Sequence, residues 1–227
     1  MDTPDTWEEL LTSDRPLLDR ASTAERVADV LRRRLLEGDL PPGTRLSEEN
    51  AGRALAVSRN TLREAFRLLV HERLLVHEFH RGVFVRVLSV ADVVDLYRIR
   101  RLLECGAVRA ARQVPRSRVE AVERAVEEGE RSAARHGWRE VGTANMRFHE
   151  ALAALAGSPR VDETMRQLLA ELRLAFHAMP RLREFHQPYL ARNREIAELV
   201  ARGEYAAAGD RLDEYLDVAE QQLLAEH

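Results

Sequence analysis

The chain has 227 residues, of which 45% are hydrophobic, and 35 basic against 38 acidic side chains give a formal net charge of −3. That length suits two modest domains or one large one. The apolar share can bury a core, and the absence of an apolar run of membrane-spanning length excludes a helical membrane protein. Met1–Leu11 is acidic and lacks a basic start followed by an apolar stretch, so no secretion signal is expected. The one cysteine, Cys105, excludes an internal disulfide and fits a cytoplasmic protein. All 35 basic residues are arginine, on every kind of surface, which fits GC-rich coding better than a local function.

Residues 1–20 hold two prolines and no sustained period, and are expected to form an N-terminal arm. Ser22 then caps a helix with Val27, Val30, Leu31 and Leu35 on one face, ending at Gly38. Leu40-Pro41-Pro42-Gly43 is a rigid turn. Ser47 caps a second helix to about Leu55, with Glu48 and Glu49 at its positive end. Ser58 caps a third, from Arg59 to about His71, with Leu62, Ala65, Phe66 and Leu69 facing inward and Val57 and Leu62 as core. Leu74–Phe79 and Val83–Val87 alternate with period two around His80-Arg81-Gly82, which predicts a β-hairpin.

Helix, turn, helix and hairpin in this order describe a winged helix-turn-helix over 21–88, a shape that fits the major groove of DNA. Residues 22–88 carry 12 Arg against 9 Asp plus Glu, a mildly basic head on an acidic chain. In such a fold the first residues of the second helix of the pair reach base edges, and its cap meets phosphate. Ser58, Arg59, Asn60, Thr61 and Arg63 occupy that first turn and a half. Arg59 and Arg63 lie four apart on one face, able to reach guanine or two phosphates. Ser58 and Thr61 suit phosphate oxygens. Arg45 opens the same stretch and joins this candidate DNA-binding set. Arg81-Gly82 at the wing tip is placed to enter the minor groove.

After residue 88 no strand pattern appears, and 89–227 is expected to be an all-α bundle of about six helices. Ser89-x-x-Asp92 opens a long helix from Val90 to about Arg112, followed by helices over about 116–135, 139–156, 160–178, 187–202 and 204–225. The long helix places Val93, Tyr97, Arg100, Glu104, Ala107 and Ala111 on one stripe. Arg100 and Glu104 are either a buried pair serving a pocket or a surface pair four residues apart. His149 lies on an apolar helix face, where a histidine is commonly a core residue.

The head resembles the GntR family of bacterial transcription regulators. Val57-Ser58-Arg59-Asn60-Thr61-Leu62-Arg63-Glu64-Ala65, Arg81-Gly82-x-Phe84-Val85 and Leu40-Pro41-Pro42-Gly43-x-x-Leu46-Ser47-Glu48 carry the likeness, although proline or threonine is more usual where Asn60 stands. The helical half resembles the FCD domain of the FadR-like branch, through Tyr97–Glu104, Asn145-x-x-Phe148-His149 and Asn193-x-x-Ile196-Ala197. The resemblance implies an effector-binding and dimerisation domain over 89–227. It also implies a four-residue metal set of one Asp and three His, which falls here on Asn145, His149, Asn193 and Tyr215. Three of those positions are changed, and one imidazole does not hold zinc, so no metal is expected. These four residues with Tyr97, Arg100 and Glu104 are instead the candidate lining of an effector site, Arg100 being the natural carboxylate anchor.

The expected function is a DNA-binding regulator, repressing by family habit, that works as a homodimer on a double-stranded, pseudo-palindromic operator under a small-molecule effector, with no membrane partner and no cofactor. A rival is a helical interaction protein whose winged helix binds protein. An enzyme is disfavoured, because no catalytic motif or phosphate loop occurs and Cys105 sits beside Glu104 in an apolar helix.

Overall fold

The computed structural model describes residues 22–177, 179 and 181–225, so the expected N-terminal arm lies outside the described residues. The chain divides into two compact units, Met1–Arg86 and Val87–His227.

The first unit is built around α1 (Ser22–Glu37), which packs on α3 (Arg59–His71). Val27, Ala28, Leu31 and Leu35 of α1 and Leu62, Ala65, Phe66 and Leu69 of α3 are buried, following the helical spacing of the apolar residues. Arg32 grips Glu72 with two hydrogen bonds, 2.6 Å from Nε and 2.5 Å from Nη2, fastening α1 to the end of α3. Between them α2 (Glu48–Leu55) is capped by Ser47, whose hydroxyl accepts from Asn50 N. It ends at Ala56 in the left-handed region, φ 53°. Ser58 caps α3 in the same way, accepting from Thr61 N at 3.1 Å. Leu62 is fully buried as expected; Val57 is only half-buried, because it lies in the turn before the helix.

The expected hairpin is a three-stranded antiparallel sheet. A two-residue strand, β1 (Arg45–Leu46), pairs with β3 (Gly82–Val85), which also pairs with β2 (Leu75–Glu78), in the order β1-β3-β2. Both hairpin strands are shorter than their alternating patterns, and Phe79 lies in the tip beyond Glu78 rather than in a strand. Two residues of β1 carry no period, so the third strand left no signal in the sequence.

The second unit is all helical among its described residues. Ser89 and Asp92 form a reciprocal capping box that starts α4 (Val90–Arg100). The expected single helix to Arg112 is interrupted: residues Arg101–Cys105 form a π-helical turn before α5 (Gly106–Ala110). The remaining helices are α6 (Arg116–Ala134), α7 (Trp138–Ala154), α8 (Pro159–His177), α9 (Leu182–Ala201) and α10 (Tyr205–Leu224). α6 and α7 pack as a hairpin, with α9 against both and α10 against α4, the π turn and α5. No described helix is long and apolar enough to cross a membrane.

α9 begins five residues before its expected start because Pro188 is inside the helix rather than at its head. Proline has no N–H, so the carbonyl four residues earlier, on Glu184, loses its helical partner. Gln222 of α10 replaces it: its Nε2 donates to Glu184 O at 3.4 Å, while its Oε1 accepts from the Tyr189 hydroxyl at 2.7 Å.

His186, one turn into α9, is 2% exposed and packs edge-on against Phe176 and Phe185. Burial, with the Arg173 guanidinium adding to it, pushes its pKa down to about 4. The unfolded chain therefore takes up a proton near pH 6.5 that the folded unit refuses until about pH 4. Stability present above pH 6.5 is lost as pH falls through that window, by roughly 3 kcal/mol from this residue. Urea unfolding of the helical unit at several pH values should show that decline, and His186→Leu should flatten it; an equally steep profile in the variant would exclude His186 as its source.

Candidate functional site

Two clusters, one in each unit, collect the residues singled out in the sequence. In the first unit, Arg45, Ser47, Glu48, Arg59, Arg63, His77 and Gly82 line one open groove of about 630 Å³ between α3 and the sheet. The caps decide which groups are presented. With Ser58 turned onto Thr61 N, the first amides of α3 point outward and Arg59 and Asn60 stand exposed at its positive end. The Ser58 and Thr61 hydroxyls lie 2.8 Å apart, so each already has a partner it would share with any phosphate.

Arg63 is exposed but engaged. Its Nη2 donates to Glu48 Oε2 at 3.1 Å and its Nε approaches Oε1 at 3.4 Å, across from α2. Arg45 projects from β1 beside Gly82, where a Cβ would meet its Nε at 3.5 Å. Gly82 has φ +110°, a conformation side chains resist, which is why glycine starts β3. Arg81 lies exposed in the turn at the wing's end. It is salt-bridged back to Glu78, and its guanidinium lies 5.4 Å from the Phe84 ring centroid. Phe79 and His80, which the sequence treated as strand end and spacer, stand exposed in the same turn. The acids Glu48 and Glu78 were also missed as partners; Glu48 is on a different helix from Arg63, and Glu78 is three residues from Arg81 but in a hairpin, where that spacing does not by itself predict a contact.

In the second unit the structure brings all seven candidate effector residues together. Tyr97, Arg100, Glu104, His149 and Tyr215 are each at most 2% exposed, Asn145 is 8% and Asn193 is 6%. The choice left open for Arg100 and Glu104 is thus settled as a buried pair, with Nε donating to Oε1 at 2.7 Å. The other Glu104 oxygen is 2.6 Å from His149 Nδ1. His149 Nε2 faces the Tyr215 hydroxyl at 3.3 Å, and that hydroxyl is 3.0 Å from Asn145 Oδ1. Asn145 Oδ1 also accepts from Asn193 Nδ2 at 2.8 Å. The guanidinium of Arg100 lies 5.0 Å from the Tyr97 ring centroid.

Burial pushes the Glu104 carboxyl up, but Arg100 and His149 beside it outweigh burial and hold it below its ordinary range. Burial likewise lowers His149 more than Glu104 raises it, so the imidazole is neutral. Its Nδ1–H then donates to the carboxylate and Nε2 is an acceptor. The single Tyr215 proton goes either to Nε2 or to Asn145 Oδ1. Burial drives Tyr97 up to about 12 and Tyr215 well above its ordinary value, so both phenols keep their protons. Two buried atoms of this network remain without a protein partner: Arg100 Nη2, a cationic donor, and Asn193 Oδ1, an acceptor. Buried polar atoms of that kind are costly unless something meets them.

The donors do not suit a divalent metal. The four positions supply one imidazole, two carboxamides and a phenol, and the imidazole is committed on both nitrogens. The nearby carboxylate of Glu104 is already neutralised by Arg100. Among the described residues no three His, Cys, Asp or Glu side chains gather in a way that could hold a metal ion. Cys105, buried next to this network, has its thiol pushed up to about 12 by burial and by Asp213 and Glu104, so it is no nucleophile.

Removing Glu104 leaves a buried guanidinium alone. Glu104→Ala should therefore cost about 3–5 kcal/mol in urea unfolding of the helical unit, and the double change Arg100→Met with Glu104→Leu should recover part of it. A loss under about 1 kcal/mol for Glu104→Ala would mean that water reaches the pair.

Comparison with known proteins finds a family match for each unit. The family described as bacterial regulatory proteins, gntR family, matches residues 23–85, and the FCD domain matches residues 95–218. The Nta operon transcriptional regulator of Aminobacter aminovorans is 34% identical over 139 residues, covering 59% of this chain and 64% of that protein. The gluconate operon transcriptional repressor of Bacillus subtilis is 38% identical over 87 residues, 38% of this chain and 35% of its own. The matches thus span less than two thirds of these curated relatives. A crystal structure of a Rhodococcus sp. RHA1 protein that goes by the name GntR is 44% identical, covers 91% of this chain and 100% of its own, and superposes with a TM-score of 0.86. The chain belongs to the GntR family of DNA-binding transcription regulators, carrying an FCD domain behind its winged helix-turn-helix, a family of regulators and not of enzymes.

Proposed function

We propose that this chain is a repressor that binds a pseudo-palindromic operator as a homodimer, in the cytoplasm, and changes its affinity for that operator when a small carboxylate enters the helical unit. The observation that carries the proposal is the groove in which Arg45, Arg59, Arg63 and Gly82 open together beside the exposed end of α3. Residues to about 88 form the DNA-reading part in this account, and the helical residues from 89 onward the sensing and pairing part. Arg59, Asn60 and Arg63 are assigned to base edges or phosphates in the major groove, Ser58 and Thr61 to phosphate, and Arg45, Arg81 and Gly82 to the wing's approach. Repression is supported by the likeness of part of the chain to the gluconate operon repressor.

The carboxylate assignment rests on Arg100. One of its terminal nitrogens has no partner while Nε is spent on Glu104, so an anion of modest size completes it. Asn193 Oδ1 offers an acceptor to a hydroxyl or amino group on the same molecule. Tyr97, Asn145, His149 and Tyr215 supply the remaining polar lining, with Glu104 fixing Arg100 and His149. An effector that favours one arrangement of two heads must, by linkage, be bound differently when operator is present.

Duplexes enriched from a randomised pool by the full-length protein supply the test. Arg59→Ala combined with Arg63→Ala should weaken them roughly ten- to hundredfold and reduce the salt dependence of binding; unchanged affinity would remove these residues from the DNA site. In the sensing half, a screen of small mono- and dicarboxylates by thermal shift should find compounds that raise Tm and alter duplex affinity. Arg100→Gln with Glu104→Gln, which removes both charges together, should abolish that response. A response that survives the pair of changes would place the effector elsewhere.

A further inference from the structure

We propose that Phe79 is a wedge, inserted from the wing tip between stacked base pairs of the minor groove, and that it confers a preference for a flexible pyrimidine–purine step at that point. The proposal rests on the DNA-binding reading of the head and adds to it a contact that reads deformability instead of base edges.

Among the described large hydrophobic residues Phe79 is the most exposed, at 80%. It is held outward by the turn itself. β2 and β3 close with Glu78 opposite Gly82, and Arg81 N donates back to Glu78 O at 3.0 Å. His80 takes the left-handed region, φ 61°, an arrangement that few side chains adopt. Its ring lies 4.0 Å from that of Phe79, edge to face, so the tip ends in two aromatic rings. Arg81, which the sequence placed at the tip, is folded back onto Glu78 and Phe84. The end of the wing thus carries two aromatic rings beside the exposed Arg81–Glu78 pair, and Arg45 adds a cation beside Gly82.

That combination suits one partner. Cations beside the turn hold the phosphates that flank a narrow groove, and an apolar ring at its end has little to gain there except by entering a base step. The wing also borders the groove that Arg59 and Arg63 line, so a duplex seated on α3 passes beside the hairpin. Steps such as TA and CA/TG open at least cost, which turns insertion into a sequence preference without a hydrogen bond to any base.

The test uses the full-length protein and duplexes that it enriches from a randomised pool. Permanganate, which attacks unstacked thymines, should mark a thymine at one flanking step in each half-site when the wild type is bound. Phe79→Ser should lose that mark and bind about tenfold more weakly, with a smaller bend by gel phasing. Phe79→Leu, which keeps an apolar wedge, should retain most of both. Phe79 is exposed, so neither change should alter thermal unfolding. Wild-type affinity and thymine reactivity in Phe79→Ser would overturn the wedge. So would an unchanged DNA contact accompanied by altered sedimentation, which would make Phe79 a contact between protein chains. If Phe79→Ser behaves as wild type while Arg59→Ala with Arg63→Ala loses binding, the wedge fails and the DNA reading stands. If the wild type enriches no duplex, both fail.

Discussion

A charged pair lies in the apolar core of the helical unit, and the arrangement around it follows from the need to satisfy it. Arg100 and Glu104 are almost wholly removed from water. Their attraction alone does not offset that cost, so the remaining lone pairs and protons must find partners. Glu104 turns its second oxygen to His149, which fixes the imidazole tautomer. Tyr215 and the two asparagines extend the chain of hydrogen bonds across α7, α9 and α10. Such a network holds helices in one register because each bond lost strands a buried group. It closes everywhere except at one guanidinium nitrogen and one amide oxygen, Arg100 Nη2 and Asn193 Oδ1.

The head follows the opposite logic. Its candidate side chains stand in water, and two of the cations have an acid close by: Glu48 for Arg63 and Glu78 for Arg81. Exposed pairs of this kind contribute little to stability. They restrict where the guanidinium groups point, and in the proposed DNA complex phosphate or guanine would take the acid's place. The acids also temper non-specific attraction, in keeping with a head whose positive excess is small.

Much of this was legible in the sequence, and the failures have physical causes. Ser47, Ser58 and the Ser89–Asp92 box are short-range motifs whose hydrogen bonds form within one turn, so their helices were placed correctly at the start. The apolar spacing of α1 and α3 survived for the same reason. Arg100 and Glu104 sat on an apolar stripe, yet their burial depends on α7 and α10, which lie far along the chain; spacing could not choose between core and surface. The π turn left no trace, since the four-residue step from Arg100 to Glu104 looks the same in an ordinary helix. Phe79 continued the alternation of its strand and was counted with it, although pairing stops at Glu78. In the helical half, resemblance located Asn145, His149, Asn193 and Tyr215 when their own spacing said nothing.

Pro188 shows how a local fault can organise distant parts. By silencing one amide it exposes a carbonyl on Glu184, and Gln222 reaches across to occupy it. The helix bearing Asn193 is thereby latched to the helix bearing Tyr215. Sliding one along the other would leave an orphaned oxygen, whereas tilting about the latch would not. The bridge between these two helices thus begins with a missing proton.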